Sequence, residues 1–167
     1  RFANAIAYLG CHPAEITVDA GIDMLSFGAS KNGCMAAEAL VIFNRPELRE
    51  TTERMRKRSG HLLSKMRYVS AQLLAYIEND LWLEMAMHAN AQAAKFAEAV
   101  EHHNEAELEY PVHANEVFVK WPKEGFEKLE AQDIQFGLWP GRDDLARFVF
   151  GHSTSDEEVA LLVNALG

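Results

Sequence analysis

The chain has 167 residues, 49% of them hydrophobic and 25% charged, with ten Gly and five Pro. These are the proportions of a folded globular protein and exclude collagenous, low-complexity and charge-dominated disordered chains. Its formal charge of −9 is uneven: residues 1–80 hold ten Lys/Arg against nine Asp/Glu, and residues 81–167 hold six against sixteen, a balance that argues against nucleic acid or an anionic membrane surface as partner.

In chain order, residues 2–10 read as a helix of small and apolar residues closed by Gly10, without a clear secretory pattern. Pro13 fits the first turn of a short helix running to about Ala20, which Gly21 closes. From 23 to 43 the chain reads DMLSFG, ASKNG, CMAA, EALVIF: strand, small-residue turn, strand. A helix then starts around Asn44 or Arg45, with Pro46 in its first turn, and runs to about Arg58. After a break at Gly60, residues 61–77 place Leu62, Met66, Val69, Leu73 and Tyr76 at helical spacing. Asn79 and Asp80 are candidate caps for a long helix ending near His103, with Trp82, Met85, Ala86, Ala89, Ala93, Phe96 and Val100 on one stripe.

Beyond an acidic loop, NEAELE, the pattern changes. Residues 115–121, 134–139 and 145–150 read as strands, the last two joined by the turn PGRDD, and Pro122 opens a helix between the first two. Ser155 and Glu158 form a capping box for a final helix with Val159, Leu162, Val163 and Leu166 inward. The expectation is an α/β chain in three parts. Residues 1–80 belong to an α/β domain, 81–103 form a connecting helix, and 104–167 form a small α+β domain with a three-stranded sheet. No apolar run approaches the ~20 residues needed to span a bilayer. Cys11 and Cys34 are too few for a disulfide scaffold and lack zinc-ligand spacing, so free thiols and a cytoplasmic location are expected.

Two residues stand out chemically. Lys31 sits where a strand gives out, flanked by Ser30, Asn32 and Gly33, with little bulk around it. In a dry site its ammonium loses solvation and becomes the nucleophilic amine that Schiff-base chemistry requires; in an open one it is a surface lysine of a polar hairpin. Arg147 opens the strand ARFVF and either holds a ligand carboxylate bidentately or makes a surface ion pair. The basic group Arg54, Arg56, Lys57, Arg58, Lys65 and Arg67 reads equally as a solvated helix face. The histidines form no HxH or HxxxH set; His61 and His152 read as structural or exposed.

SFGASKNG, together with GCHPAEITVDAGID before it and RMRKRSGHLLSKMRYVSAQLLAYI after it, resembles the low-specificity L-threonine aldolases, in the bacterial branch that includes phenylserine aldolases. These are pyridoxal 5'-phosphate (PLP) enzymes of fold type I. The resemblance implies that Lys31 is the lysine that binds PLP covalently. It places Arg147, in ARFVFGHSTSDEEV, at the substrate carboxylate, with Arg1 nearby as the arginine of an Asp-Gly-Ala-Arg segment. Arg54 and Lys57 match positions near the cofactor phosphate, in relatives sometimes across a subunit boundary. It further implies cleavage of a β-hydroxy-α-amino acid to glycine and an aldehyde, by a homodimer or homotetramer. β-Elimination or transamination on the same fold, or an inactive fragment, are the alternatives. One departure is evident: the aspartate for the pyridine nitrogen, the ring-stacking histidine and the glycine-rich phosphate loop of the family are not in these residues. The chain therefore resembles the C-terminal portion of such an enzyme, and residues 1–167 alone are not expected to form a working site.

Overall fold

The computed structural model describes residues 1–167, which divide into two compact units, Arg1–Met85 and Ala86–Gly167. The first contains helix α1 (Phe2–Leu9), 3-10 turns at Pro13–Ile16 and Glu78–Asp80, strands β1 (Met24–Gly28) and β2 (Glu38–Ile42), and helices α2 (Leu48–Arg58) and α3 (Arg67–Ile77). Helix α4 (Leu81–Glu101) begins there and continues into the second unit. No helix is long and apolar enough to cross a membrane.

β1 and β2 form an antiparallel pair, with Ser26 opposite Leu40 and Gly28 opposite Glu38. The pair is anchored by rings. Phe27 packs edge-on against Phe2 of α1 and Trp82 of α4, at 6.2 and 5.8 Å between centroids, and tilted against Tyr76 of α3 at 5.9 Å. Phe2 and Trp82 lie parallel, 6.2 Å apart. Edge-to-face pairs of this kind add roughly 0.5–1.5 kcal/mol each beyond the area they bury. Four elements thus meet at the residue before Gly28, and the turn that follows leaves from a fixed point.

The second unit is a four-stranded antiparallel sheet in the order β3-β4-β6-β5: β3 (Glu107–Leu108), β4 (Glu116–Lys120), β5 (Gly137–Leu138) and β6 (Leu145–Val149). With it lie α5 (Lys123–Glu130) and α6 (Asp156–Leu166). Alternation places Val117, Val119, Ala146 and Phe148 on the buried face, in one core with Phe96 and Val100 of α4, Leu129 of α5 and Val159 of α6. Gly125 is required where it stands, because a Cβ there would lie 2.3 Å from the Trp121 ring. The capping box of α6 forms: Glu158 N–H donates to Ser155 Oγ at 3.1 Å, and Ser155 N–H to Glu158 Oε2 at 2.7 Å.

Five expectations are corrected. The helix from Pro13 stops after one 3-10 turn, since Thr17 and Val18 are β-branched and the Thr17 hydroxyl bonds back to the Pro13 carbonyl at 2.7 Å. The helix expected from Asn44 or Arg45 starts at Leu48, because residues 45–48 form a turn in which Leu48 N–H donates to the Arg45 carbonyl. The helix expected from His61 starts only at Arg67. Leu62 and Leu63 remain more than half exposed, so no burial stabilises the extra turns. The sheet has four strands because two residues of the acidic loop, Glu107 and Leu108, pair with Lys120 and Val119. The strand over 134–139 shrinks to Gly137–Leu138, because Ile134 N–H is taken by the Leu129 carbonyl of α5. Asn79 and Asp80, at φ 54° and 57°, form the left-handed link between α3 and α4, a conformation that short Asx side chains tolerate.

Candidate functional site

Lys31 lies in the turn between β1 and β2, exposed, with no hydrogen bond or ion pair to its ammonium. The backbone around it is held closely. Ala29, fully buried, accepts from Asn32 N–H at 3.0 Å and Cys34 N–H at 3.1 Å, and its own N–H donates to the Ala37 carbonyl at 2.9 Å. Ser30 Oγ takes the Ala37 N–H at 3.1 Å. Gly33 adopts φ 112°, open to glycine and strained for other residues.

The anchor is Asn32. It is buried, and its Nδ2 donates to the Tyr76 hydroxyl at 2.6 Å and to the Trp82 carbonyl at 3.0 Å. One end of the turn is tied into the aromatic cluster while the preceding residue, Lys31, is exposed to solvent. Burial pushes the Tyr76 hydroxyl up, partly offset by the Asn32 bond, so the neutral phenol is favoured. Sequence reasoning counted Asn32 only as a small turn residue; its partners are 44 and 50 positions away, and nothing local signals them.

Cys34 is half-buried and unpaired. Burial, then the nearby Glu38 carboxylate, push its thiol up, which makes it a poor nucleophile. An open cavity of about 1170 Å³ in the first unit is lined by Ser30 and Glu38, by Arg49 and Arg56 of α2, and by His61 and Leu73. Arg54 and Lys57 do not line it. They lie elsewhere on the exposed helix α2, where Arg54 is ion-paired with Glu50. Arg1 is exposed at the N-cap of α1, its carbonyl accepting from Ala5 N–H. Among the basic residues, Arg56 and Arg49, not the pair read from sequence, share a cavity with Ser30. No group of His, Cys, Asp or Glu could hold a metal ion, and His152 is exposed.

Arg147 lies in the second unit at the centre of β6, opposite Phe118 on β4 and Gly137 on β5. Its NH1 is 3.3 Å from Glu116 Oε1. The ion pair anticipated as one reading is present, and the guanidinium is still 43% exposed.

A PLP site needs a primary amine able to reach the cofactor's aldehyde carbon, on backbone that does not yield. The turn that carries Lys31 is pinned on both sides and no neighbouring carboxylate engages the amine, while the side chain itself is exposed, as in the open reading of the turn.

The family profile described as Beta-eliminating lyase matches residues 1–123. The low specificity L-threonine aldolase of Pseudomonas aeruginosa is 40% identical over 159 residues, 95% of this chain and 45% of the relative. The enzyme of the same description from a second Pseudomonas strain matches to the same extent. The chain thus spans about half the length of these curated relatives. The structure of Leishmania major threonine aldolase superposes with a TM-score of 0.86 at 25% identity, covering 99% of this chain and 48% of that one. The structure of OvoB shares the fold, with a TM-score of 0.60 at 22% identity over 92% of this chain and 42% of its own. The chain belongs to the beta-eliminating lyase family, with the fold of the threonine aldolases.

Proposed function

We propose that this chain carries the covalent cofactor lysine and a substrate-carboxylate arginine of a PLP-dependent aldolase. The reaction cleaves L-threonine or a related β-hydroxy-α-amino acid to glycine and an aldehyde. The observation that carries the reading is Lys31, an unengaged amine on a turn locked by buried Asn32, in a chain 40% identical to low specificity L-threonine aldolases.

Lys31 would hold PLP through its amine. When bound, PLP supplies the electron sink that lets a bond at Cα break. Arg147 would take the substrate carboxylate, with Arg1 as its second cation. A guanidinium fork on a carboxylate fixes rotation about the N–Cα bond and thereby selects which bond at Cα is aligned to break. In the aldolase reaction that bond is Cα–Cβ: the β-hydroxyl loses its proton, the aldehyde leaves, and Cα gains a proton to give glycine. Arg54 and Lys57 stand as candidates for the cofactor phosphate, and a homodimer or homotetramer as the assembly.

β-Elimination is the second reading, favoured by the description of the matching family profile. Two measurements test the assignment. Borohydride reduction of the PLP-loaded, gene-encoded protein, followed by peptide mapping, is expected to leave a pyridoxyl group on the Lys31 peptide; a label on another lysine defeats it. Products from L-threonine separate the two reactions: glycine with acetaldehyde for the aldolase, ammonia with 2-oxobutanoate for the eliminase.

A further inference from the structure

We infer that Glu116 is a positioning residue for Arg147, holding the guanidinium across the outer face of the β4–β6 pair so that its remaining edge is offered to a carboxylate ligand. This rests on the assignment of Arg147 to the substrate carboxylate.

The register sets the arrangement. Phe118 pairs with Arg147 and Glu116 with Val149, so Glu116 is the diagonal neighbour of Arg147 on one sheet face. The other face, with Val117, Val119 and Phe148, is buried. Of the two charged side chains the carboxylate is the more sunken, 22% exposed against 43% for the arginine. The anion is the fixed member and the cation the presented one.

Around them the face is asymmetric. On the β4 side Phe118 packs edge-to-face with Tyr110, at 5.6 Å; it also meets, at 5.5 Å, the ring of Trp139, which follows β5 and whose backbone N–H donates to the Leu145 carbonyl of β6. On the β5 side Arg147 faces Gly137, which has no side chain, and a Cβ built there would meet only the Arg147 carbonyl, at 3.8 Å. A guanidinium carries five N–H donors in a planar fork. Glu116 lies against one terminal nitrogen, and the donors it does not face remain for a second carboxylate from the glycine side. Without Glu116, a long side chain regains its rotamers and must be ordered by the ligand itself, which weakens binding and leaves the chemical step alone.

The test uses the gene-encoded protein loaded with PLP, with glycine as the probe. Its Kd is read by calorimetry, and KM and kcat with L-threonine, for wild type, Glu116→Ala, Glu116→Gln, Arg147→Ala and the Ala/Ala double variant. Glu116→Ala is expected to raise Kd and KM about fivefold, the size that roughly 1 kcal/mol of coupling gives, with kcat within about twofold. The 3.3 Å contact is an ion pair in which Glu116 Oε1 accepts no hydrogen bond, so Glu116→Gln, neutral and of the same shape, is expected to lose about as much as Glu116→Ala. In the Arg147→Ala background, Glu116→Ala has no further effect. If Glu116→Ala fails to fold, Glu116→Asp replaces it; its shorter side chain draws the oxygen away and shifts Kd in the same direction. A large Arg147→Ala effect with unchanged or tighter binding in the Glu116 variants overturns the role of Glu116 alone, as does an equal Glu116 effect with Arg147 absent. Unchanged glycine binding in Arg147→Ala overturns the assignment of Arg147, and this inference with it.

Discussion

Lys31 and Asn32 are neighbours in sequence and opposites in environment, one exposed and the other buried. That contrast makes their variants separable. Lys31→Ala removes an exposed side chain with no partners, so unfolding should shift by no more than about 0.5 kcal/mol. The borohydride-fixed pyridoxyl adduct and turnover should both disappear; an adduct that survives in Lys31→Ala, which can then lie only on another lysine, would refute the assignment. Asn32→Ala leaves the Tyr76 hydroxyl and the Trp82 carbonyl without their donor inside the protein, and should cost about 1–3 kcal/mol. Denaturant titration checks it, and a loss below about 0.5 kcal/mol would mean that water replaces the amide. Arg147→Ala should leave cofactor uptake intact while lowering kcat/KM by roughly 30- to 1000-fold, the equivalent of about 2–4 kcal/mol for a charge-assisted contact. Unchanged steady-state kinetics would return Arg147 to a surface ion pair.

Among the elements, α6 has the clearest local code. Ser155 and Glu158 announce its start in the sequence, and both reciprocal hydrogen bonds form. Ser155→Ala should destabilise the protein by about 1 kcal/mol, read as a lower denaturant midpoint; an unmoved midpoint would mean the cap adds nothing. The first residue of α6, Asp156, accepts from Lys95 Nζ at 2.5 Å and Gln92 Nε2 at 2.7 Å of α4. Lys95, and then Gln92, hold its carboxyl below the usual carboxylate range. A carboxyl lowered in the folded state contributes stability above its unfolded pKa of about 4, and that contribution fades as pH falls through the folded value. Asp156→Asn should therefore lower the unfolding midpoint at neutral pH, with a deficit that shrinks as pH falls below about 4; a deficit that does not change with pH would show that the carboxylate charge is irrelevant. The elements that sequence reading missed lack such codes. β3 is two residues long and carries no period of its own, so its pairing is supplied by β4. Residues 61–66 have helical spacing without a surface to bury against, and they do not form a helix.

At the scale of the molecule, the β1–turn–β2 segment was legible because its information is local: apolar runs that must extend, small residues that must turn, and one lysine between them. The aromatic cluster that anchors it was not, since Phe2, Phe27, Tyr76 and Trp82 are spread over 81 positions. Nor was the pairing of Arg147 with Glu116, which depends on strand register. The family also admits more than one reaction on the same scaffold, and fold alone does not choose between them. On the proposed reading the choice falls to the orientation of the substrate at Cα, through the carboxylate contact proposed for Arg147. The most direct test of that claim is the product balance when the PLP-loaded, gene-encoded protein consumes L-threonine. The aldolase reading predicts one glycine and one acetaldehyde per threonine lost, with no ammonia; ammonia and 2-oxobutanoate in place of glycine would contradict it.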